Sequence, residues 1–214
     1  MNLASYIDHT ILKPDCTAKE IKKICDEAAQ YGFYAVCVPP FYVKYAASVL
    51  EGKPVKIATV IGFPMGYTTT PSKVEEIKRA IDEGADEVDA VVNICAVKDG
   101  NWNFVANDVD SMCTAVHMKG KSIKIILETA LLTEKEITKL CEIVLHSGVD
   151  FVKTSTGFNG QGATLEAVKL LKSLVGDKAK IKASGGIRTR LEAERFIEAG
   201  ASRIGSSSGI AIVS

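Results

Sequence analysis

The chain predicts a (β/α)8 barrel of the TIM type, and three features of the sequence carry that reading. Eight short apolar segments alternate with amphipathic, helix-like ones along all 214 residues, the pattern of parallel strands joined by crossover helices. Three helix-to-strand junctions share one form, EGADEVDAV, SGVDFVKTS and AGASRIGSS. In each, a glycine ends the helix in a left-handed conformation and a short apolar strand begins at once. The unusual polar residues gather toward the ends of the strand candidates, where barrels build their active sites. A doubly wound open sheet is the competing architecture, weakened because no GxGxxG follows the first strand candidate.

The elements follow in order. Tyr6 to His9 is the first strand candidate. Thr17 as N-cap with Glu20 three residues on makes a capping box, and Ile21, Ile24, Cys25 and Ala28 recur at helical spacing until Gly32. Ala35 to Val38 reads as a strand, Pro39-Pro40 as a break, and Val43, Ala46, Ala47 and Leu50 as a helix. Val55 to Phe63 is β-branched and nearly all apolar, a buried strand. Thr70-Pro71 opens a helix with Val74, Ile77 and Ile81 on one face. Glu87 to Asn93 is a strand, Trp102 to about Met118 a helix, and Ile123 to Leu127 a strand. Thr133 and Glu136 form a second capping box before Ile137, Leu140, Cys141, Val144 and Leu145. The strand Phe151–Val152 with Lys153 follows, then a helix from about Thr164 to Leu174. Lys180 to Ala183 is a strand, Thr189 with Glu192 starts the next helix, and Arg203 to Gly205 is the last strand.

Composition narrows the function classes. A chain 47% hydrophobic and 24% charged is ordinary for a globular protein with a sizeable core. We expect one barrel domain over residues 1–214, two small domains being the alternative. The formal net charge of +0 offers no electrostatic footprint for nucleic acid or an anionic membrane. No apolar run approaches the roughly 18 residues that span a bilayer. The start, MNLASYIDHT, lacks a basic segment and an apolar signal core, so a cytoplasmic location is expected. The six cysteines include no CxxC and have no histidine at ligand spacing. They read as small buried thiols rather than disulfides or zinc ligands, and no metal site is expected.

The stretch DFVKTSTG, residues 150–157, is the most informative. Lys153 sits near the end of an apolar strand, where desolvation disfavours the ammonium and leaves a nucleophilic amine able to form a Schiff base. A strand-end lysine that simply reaches solvent is the other reading. A second strand in the same style, KIKASGG, carries Lys182 at about one strand-plus-helix unit's distance. Alternation puts Asp89, Val91 and Asn93 on one face of strand four, Lys153 and Ser155 on one face of strand six, and Lys182 and Ser184 on one face of strand seven. Asp8 lies toward the end of strand one. If those faces point inward, a carboxylate and two amines converge on one cavity. Ser184-Gly185-Gly186 and the run Gly205 to Gly209 follow strands seven and eight, where barrels frequently bind phosphate through backbone N–H groups. Flexible turns are the alternative for each motif alone.

Blocks along nearly the whole chain resemble the deoxyribose-phosphate aldolase family, in its order: YIDHTILKPDCT, TVIGFPMG, EVDAVVNICAVKDGNW, LETALLTEKEI, DFVKTSTGF, IKASGGIRT and RIGSSSG. The resemblance implies a class I, metal-free aldolase without a cofactor. Its substrate would be the small sugar phosphate 2-deoxy-D-ribose 5-phosphate, cleaved to acetaldehyde and D-glyceraldehyde 3-phosphate. It implies Lys153 as the Schiff-base lysine, Lys182 as a second active-site lysine and Asp89 as the carboxylate of a proton relay. It also implies that Gly157, Gly185, Gly186, Ser207 and Ser208 lie in the region that holds the phosphate. Asp89 has the alternative of a salt bridge to Lys182 that only orders the site. Pro39 and Cys95 depart from the family pattern, where Asn and Gly are usual. His9 is open between a packing residue and a substrate contact. A related phosphate-binding isomerase or aldolase barrel, and a sugar-phosphate binder without turnover, are the competing functions, and a homo-oligomer is left open.

Overall fold

Short β-branched runs separated by capped helices leave the strands nowhere to pair except with their sequence neighbours. In the computed structural model, which describes residues 2–214, they close into one barrel in chain order. The strands are β1 (Ile7–Thr10), β2 (Ala35–Val38), β3 (Lys56–Ile61), β4 (Glu87–Val91), β5 (Ser122–Ile126), β6 (Phe151–Lys153), β7 (Lys180–Ser184) and β8 (Arg203–Ser206). All eight pairings are parallel. The outer ring holds α1 (Ala18–Tyr31), α2 (Val43–Val49), α3 (Thr70–Asp82), α5 (Trp102–His117), α6 (Glu134–His146), α7 (Leu165–Val175) and α8 (Arg190–Glu198). Two short helices, α4 (Ile94–Lys98) and α9 (Gly209–Val213), follow β4 and β8. Among the described residues no helix is long and apolar enough to cross a membrane.

Local chemistry explains the boundaries. The capping boxes at Thr17, Thr133 and Thr189 are all formed. Gly84, Gly148 and Gly200, at the three repeated junctions, have positive φ (114°, 71° and 116°) that a side chain would resist. Six strands differ from expectation by one or two residues at an end. β1 runs one residue later and β5 one earlier, β7 and β8 each run one residue further, β3 is shorter at both ends, and β4 stops at Val91. The last has a cause: Asn93 leaves the strand and caps α4 by accepting the Ala96 N–H.

Strand alternation divides the interior into two cores. Outward-facing side chains such as Val88, Ala90, Ile123, Ile125 and Ile181 meet the apolar faces of the helices in one continuous cluster. Burying each such side chain contributes about 1.5–3 kcal/mol. Inside the barrel the apolar part is small: Cys37, Ala58 and Val60 on β2 and β3, with Leu12 and Phe63 against them. The other inward-facing positions include a buried charged cluster, which is the floor of the site described next.

One buried pair escapes the periodic pattern. The core face of α3 is Lys73, Ile77, Ala80 and Ile81, with Val74 only half-buried. Lys73 donates to Asp108 on α5 at 2.7 Å and to the Val91 carbonyl at 3.0 Å, and the other Asp108 oxygen accepts from Thr70 at 2.7 Å. Both side chains are fully buried. The pair thus ties two helices to the end of β4. Removing one partner strands the other's charge, so Lys73→Met is expected to lower stability by about 3–5 kcal/mol. Lys73→Met with Asp108→Leu should recover most of that loss, as read from denaturant midpoints. A double variant no better than the single one would show that Asp108 carries its cost elsewhere.

Candidate active site

The register of the ladder stacks charges. Asp89 on β4 lies beside Lys124 on β5, Lys153 on β6 beside Lys182 on β7, and Lys182 beside Arg203 on β8. All point inward, with Asp8 from β1 and Glu87 from β4, and all are buried. Three carboxylates therefore face four basic groups. Arg203 donates to Asp8 at 2.9 Å and to Glu87 at 3.2 Å. Lys124 pairs with Glu87 at 2.6 Å and donates to Asp89 Oδ1 at 2.9 Å. Lys182 donates to Asp8 and, at 2.7 Å, to Asp89 Oδ2. Lys153 has only Asp89 Oδ2, at 2.8 Å, which it shares with Lys182. The two Nζ atoms lie no farther apart than those two bonds end to end, about 5.5 Å.

Charge counting then selects the neutral member. With all four bases protonated the cluster carries one uncompensated positive charge in a buried space. With one base neutral it balances. Arg203, Lys124 and Lys182 each touch two carboxylates, whereas Lys153 touches half of one. Burial lowers the Lys153 pKa, and Lys182 lowers it further against the pull of Asp89. Burial also works against the ammonium of Lys182, but Asp8 and Asp89 outweigh it and hold that group protonated. Lys124 is raised in the same way, burial being overcome by Asp89 and Glu87. Burial would push both carboxyls up. Lys182, Arg203 and Lys124 bring Asp8 down to about 2, and Lys124, Lys153 and Lys182 hold Asp89 well below the carboxylate range.

Above this cluster opens a cavity of about 360 Å³ at the C-terminal end of the barrel. Lys153 is the one member of the cluster that lines it. The walls include Thr156, Gly157, Ser184, Gly185 and Gly186, and Ser206 and Ser207 close the side beneath β8. Gly157, Gly185 and Gly186 all have positive φ (84°, 91° and 84°), which turns their backbones along the rim. A methyl group on Gly185 would stand 2.9 Å from the Gly162 Cα and 3.4 Å from the Gly157 Cα. Glycine is thus required where the loops after β6 and β7 cross. Among the described residues no group of three or more His, Cys, Asp or Glu side chains is arranged to hold a metal ion.

Comparison with known proteins then places the chain. The DeoC/LacD family aldolase model matches residues 2–214. The chain belongs to that family. The deoxyribose-phosphate aldolase of Thermococcus gammatolerans is 53% identical, over 100% of this chain and 96% of its own. That of Desulfitobacterium hafniense (strain DSM 10664 / DCB-2) is 54% identical, over 100% and 98%. A structure described as the unique tetrameric structure of deoxyribose phosphate aldolase from Aeropyrum pernix superposes with a TM-score of 0.93 at 33% identity. It covers 99% of this chain and 89% of its own.

In this aldolase the structure brings Lys153, Lys182 and Asp89 together, as the inward-face reading expects, and it decides three further points. Ser208 does not line the cavity. Its N–H donates to Ser206 Oγ at 2.9 Å, and Ser206 takes the place on the wall. His9 points out of the barrel, pairs with Glu27 at 2.7 Å and packs on Phe33, so it is a packing residue. Cys95 is exposed on α4 and is not on the wall of this cavity, while Pro39 borders an apolar pocket next to the site. Lys124, Arg203 and Glu87 were not expected in the cluster. Their one signal is a charged residue at an inward-facing position of an otherwise apolar strand. Lys13 and Arg188, which also line the cavity, lie inside the blocks YIDHTILKPDCT and IKASGGIRT, but neither is assigned a role from the sequence alone.

Proposed function

We propose that the protein is a class I, Schiff-base aldolase that cleaves 2-deoxy-D-ribose 5-phosphate reversibly to acetaldehyde and D-glyceraldehyde 3-phosphate. It would act in deoxyribose phosphate catabolism in the cytoplasm, without a metal or other cofactor, the chain serving as one catalytic domain. The observation that carries the reading is Lys153: an amine with half a counterion, on the floor of the cavity, above a protonated Lys182. The names of relatives at 53–54% identity support the substrate. The tetrameric relative supports self-association.

The chemistry follows from the residue types. Neutral Lys153 attacks C1 of the open-chain aldehyde, and loss of water gives an iminium that withdraws electrons from C2. A base takes the C3 hydroxyl proton, the C2–C3 bond breaks into the iminium, and glyceraldehyde 3-phosphate departs. The enamine left on Lys153 is protonated at C2, and water releases acetaldehyde. Asp89, acting through a water, moves these protons while Lys182 keeps it ionised. Gly157, Gly185, Gly186 and Ser207 take the phosphate, with Ser208 holding the turn behind Ser206.

The test is acetaldehyde release from deoxyribose 5-phosphate in the presence of a chelator, with unphosphorylated deoxyribose beside it. The phosphorylated sugar should be turned over undiminished by the chelator. Its kcat/KM should exceed that of deoxyribose by on the order of 100-fold or more, the worth of about 3 kcal/mol of phosphate binding. No acetaldehyde, or equal values for the two sugars, would reject the substrate assignment.

A further inference from the structure

Outside the charged cluster, the most unusual residue in the barrel is Glu128, immediately after β5. It has φ 61° and ψ 60°. Among the described residues it is the one non-glycine with positive φ. A side chain held there signals a position over-determined by its surroundings. Glu128 is fully buried, and it makes no ion pair among the described residues. Its neighbours frame the reactive lysine: the Leu127 N–H donates to the Lys153 carbonyl at 3.0 Å, and the Thr129 N–H to the Thr154 carbonyl at 2.9 Å. The left-handed turn between them sends the carboxylate to Thr156 and Asn159 on the β6–α7 loop.

Every group that meets that carboxylate is a donor. The Thr156 N–H lies 3.2 and 3.3 Å from its two oxygens, and the Thr156 hydroxyl donates to Oε2. Asn159 Nδ2 donates to Oε2 at 3.2 Å and to the Pro64 carbonyl at 3.1 Å. The Thr156 oxygen in turn accepts the Phe158 N–H at 3.0 Å, so its proton is committed to Glu128. Each of these bonds needs an acceptor oxygen on Glu128, and both carboxylate oxygens are used. At the loop's far end the Ala163 N–H donates to the carbonyls of Ser184 and Gly185 at 3.0 and 3.1 Å. The loop is therefore clamped at one end by Glu128 and at the other by β7. Its cavity-facing residues are Thr156, Gly157 and Phe158.

We propose that Glu128 is the positioning residue of this aldolase for the phosphate end of its substrate. It fixes the β6–α7 loop so that Gly157 lies against Gly185 on the wall of the site, and it takes no part in the bond-breaking steps. This rests on the phosphate reading above. A loop that grips only the far end of the substrate governs discrimination between phosphorylated and unphosphorylated sugar. It does not govern the capture of a two-carbon aldehyde by Lys153.

Glu128→Gln keeps the shape but turns an amide N–H toward groups that are all donors. With deoxyribose 5-phosphate its KM should rise, and kcat/KM fall about 10- to 100-fold, the effect of losing a hydrogen bond to a charged group. With deoxyribose kcat/KM should fall less than about threefold, and iminium formation with acetaldehyde should stay within about twofold. Glu128→Gly, which suits the backbone but has no carboxylate, should show the same pattern. Asn159→Ala should show a smaller shift in the same direction, which disappears when combined with Glu128→Gln. Equal losses on both sugars, slowed iminium formation, or wild-type discrimination in Glu128→Gly would overturn the proposal. Should Glu128→Gln fail to fold, an Asn159→Ala variant indistinguishable from wild type would overturn it instead. A wild type that does not discriminate between the sugars removes the phosphate reading and this proposal together. A discriminating wild type with an unaltered Glu128→Gln variant removes this proposal alone.

Discussion

Lys153→Met is expected to lower kcat for deoxyribose 5-phosphate cleavage by on the order of 10⁴-fold or more, because in the proposed mechanism it removes the amine that bonds covalently to the substrate. The loss should not reflect unfolding. Lys153 contributes a single contact, to Asp89 Oδ2, and that oxygen keeps Lys182 while Oδ1 keeps Lys124. The methionine replaces an amine with an apolar group of similar length near Cys37, one of the small apolar residues inside the barrel. The wild-type protein supplies the positive evidence. Acetaldehyde should condense with the neutral Nζ, and borohydride should reduce the resulting imine to a stable ethyl-amine. Peptide mass mapping should then find the added ethyl group on Lys153. An adduct on Lys182 alone, or a variant within about 100-fold of wild type, would contradict the assignment.

Lys153 and Lys182 were legible in the sequence because each is followed by small residues suited to an anion, STG and SGG, at one repeat's spacing. Lys124 sits in SIKII, the same apolar-lysine-apolar context as Lys182 in IKA. No glycine motif follows it, so nothing singled it out, although its inward parity is the same. Arg203 and Glu87 begin their strands, where a charge ordinarily faces solvent. Their burial depends on closure of the barrel, which brings β8 against β1 and sets Arg203 between Asp8 and Glu87. Lys73 was hidden for a different reason. Its spacing to Ile77, Ala80 and Ile81 is that of a core face, but a lysine there is buried only because Asp108, on another helix, meets it. Glu128 leaves no trace at all, since a left-handed conformation is signalled in sequence by glycine or asparagine and this position has neither. The fold was therefore readable from caps, junction glycines and alternation, which are local. The charge network was only half readable, because its membership is decided by contacts between strands far apart in the chain.

Lys182→Met tests whether that network sets the reactivity of Lys153. In the wild type the two Nζ atoms share one carboxylate oxygen and lie within about 5.5 Å. At an effective dielectric of about 20, two positive charges so placed repel by about 3 kcal/mol, roughly two pH units in the titration of the weaker base. Lys182 is the better compensated of the two, since it also pairs with Asp8, so the repulsion is relieved by deprotonating Lys153. The fold should survive the substitution, because each carboxylate that loses Lys182 retains another cation: Arg203 on Asp8, and Lys124 on Asp89. The sign of the kinetic effect follows. Burial and the neighbouring ammonium both depress the Lys153 pKa. Removing the neighbour raises it, so less of the amine is neutral at a given pH below the midpoint. Single-turnover iminium formation with acetaldehyde should be slower by up to about 100-fold at neutral pH, and its midpoint should move up by roughly two pH units. The rate should recover toward the wild-type plateau as pH rises. A reduced rate with an unmoved midpoint would mean that Lys182 does not tune Lys153 and acts instead in the later proton transfers.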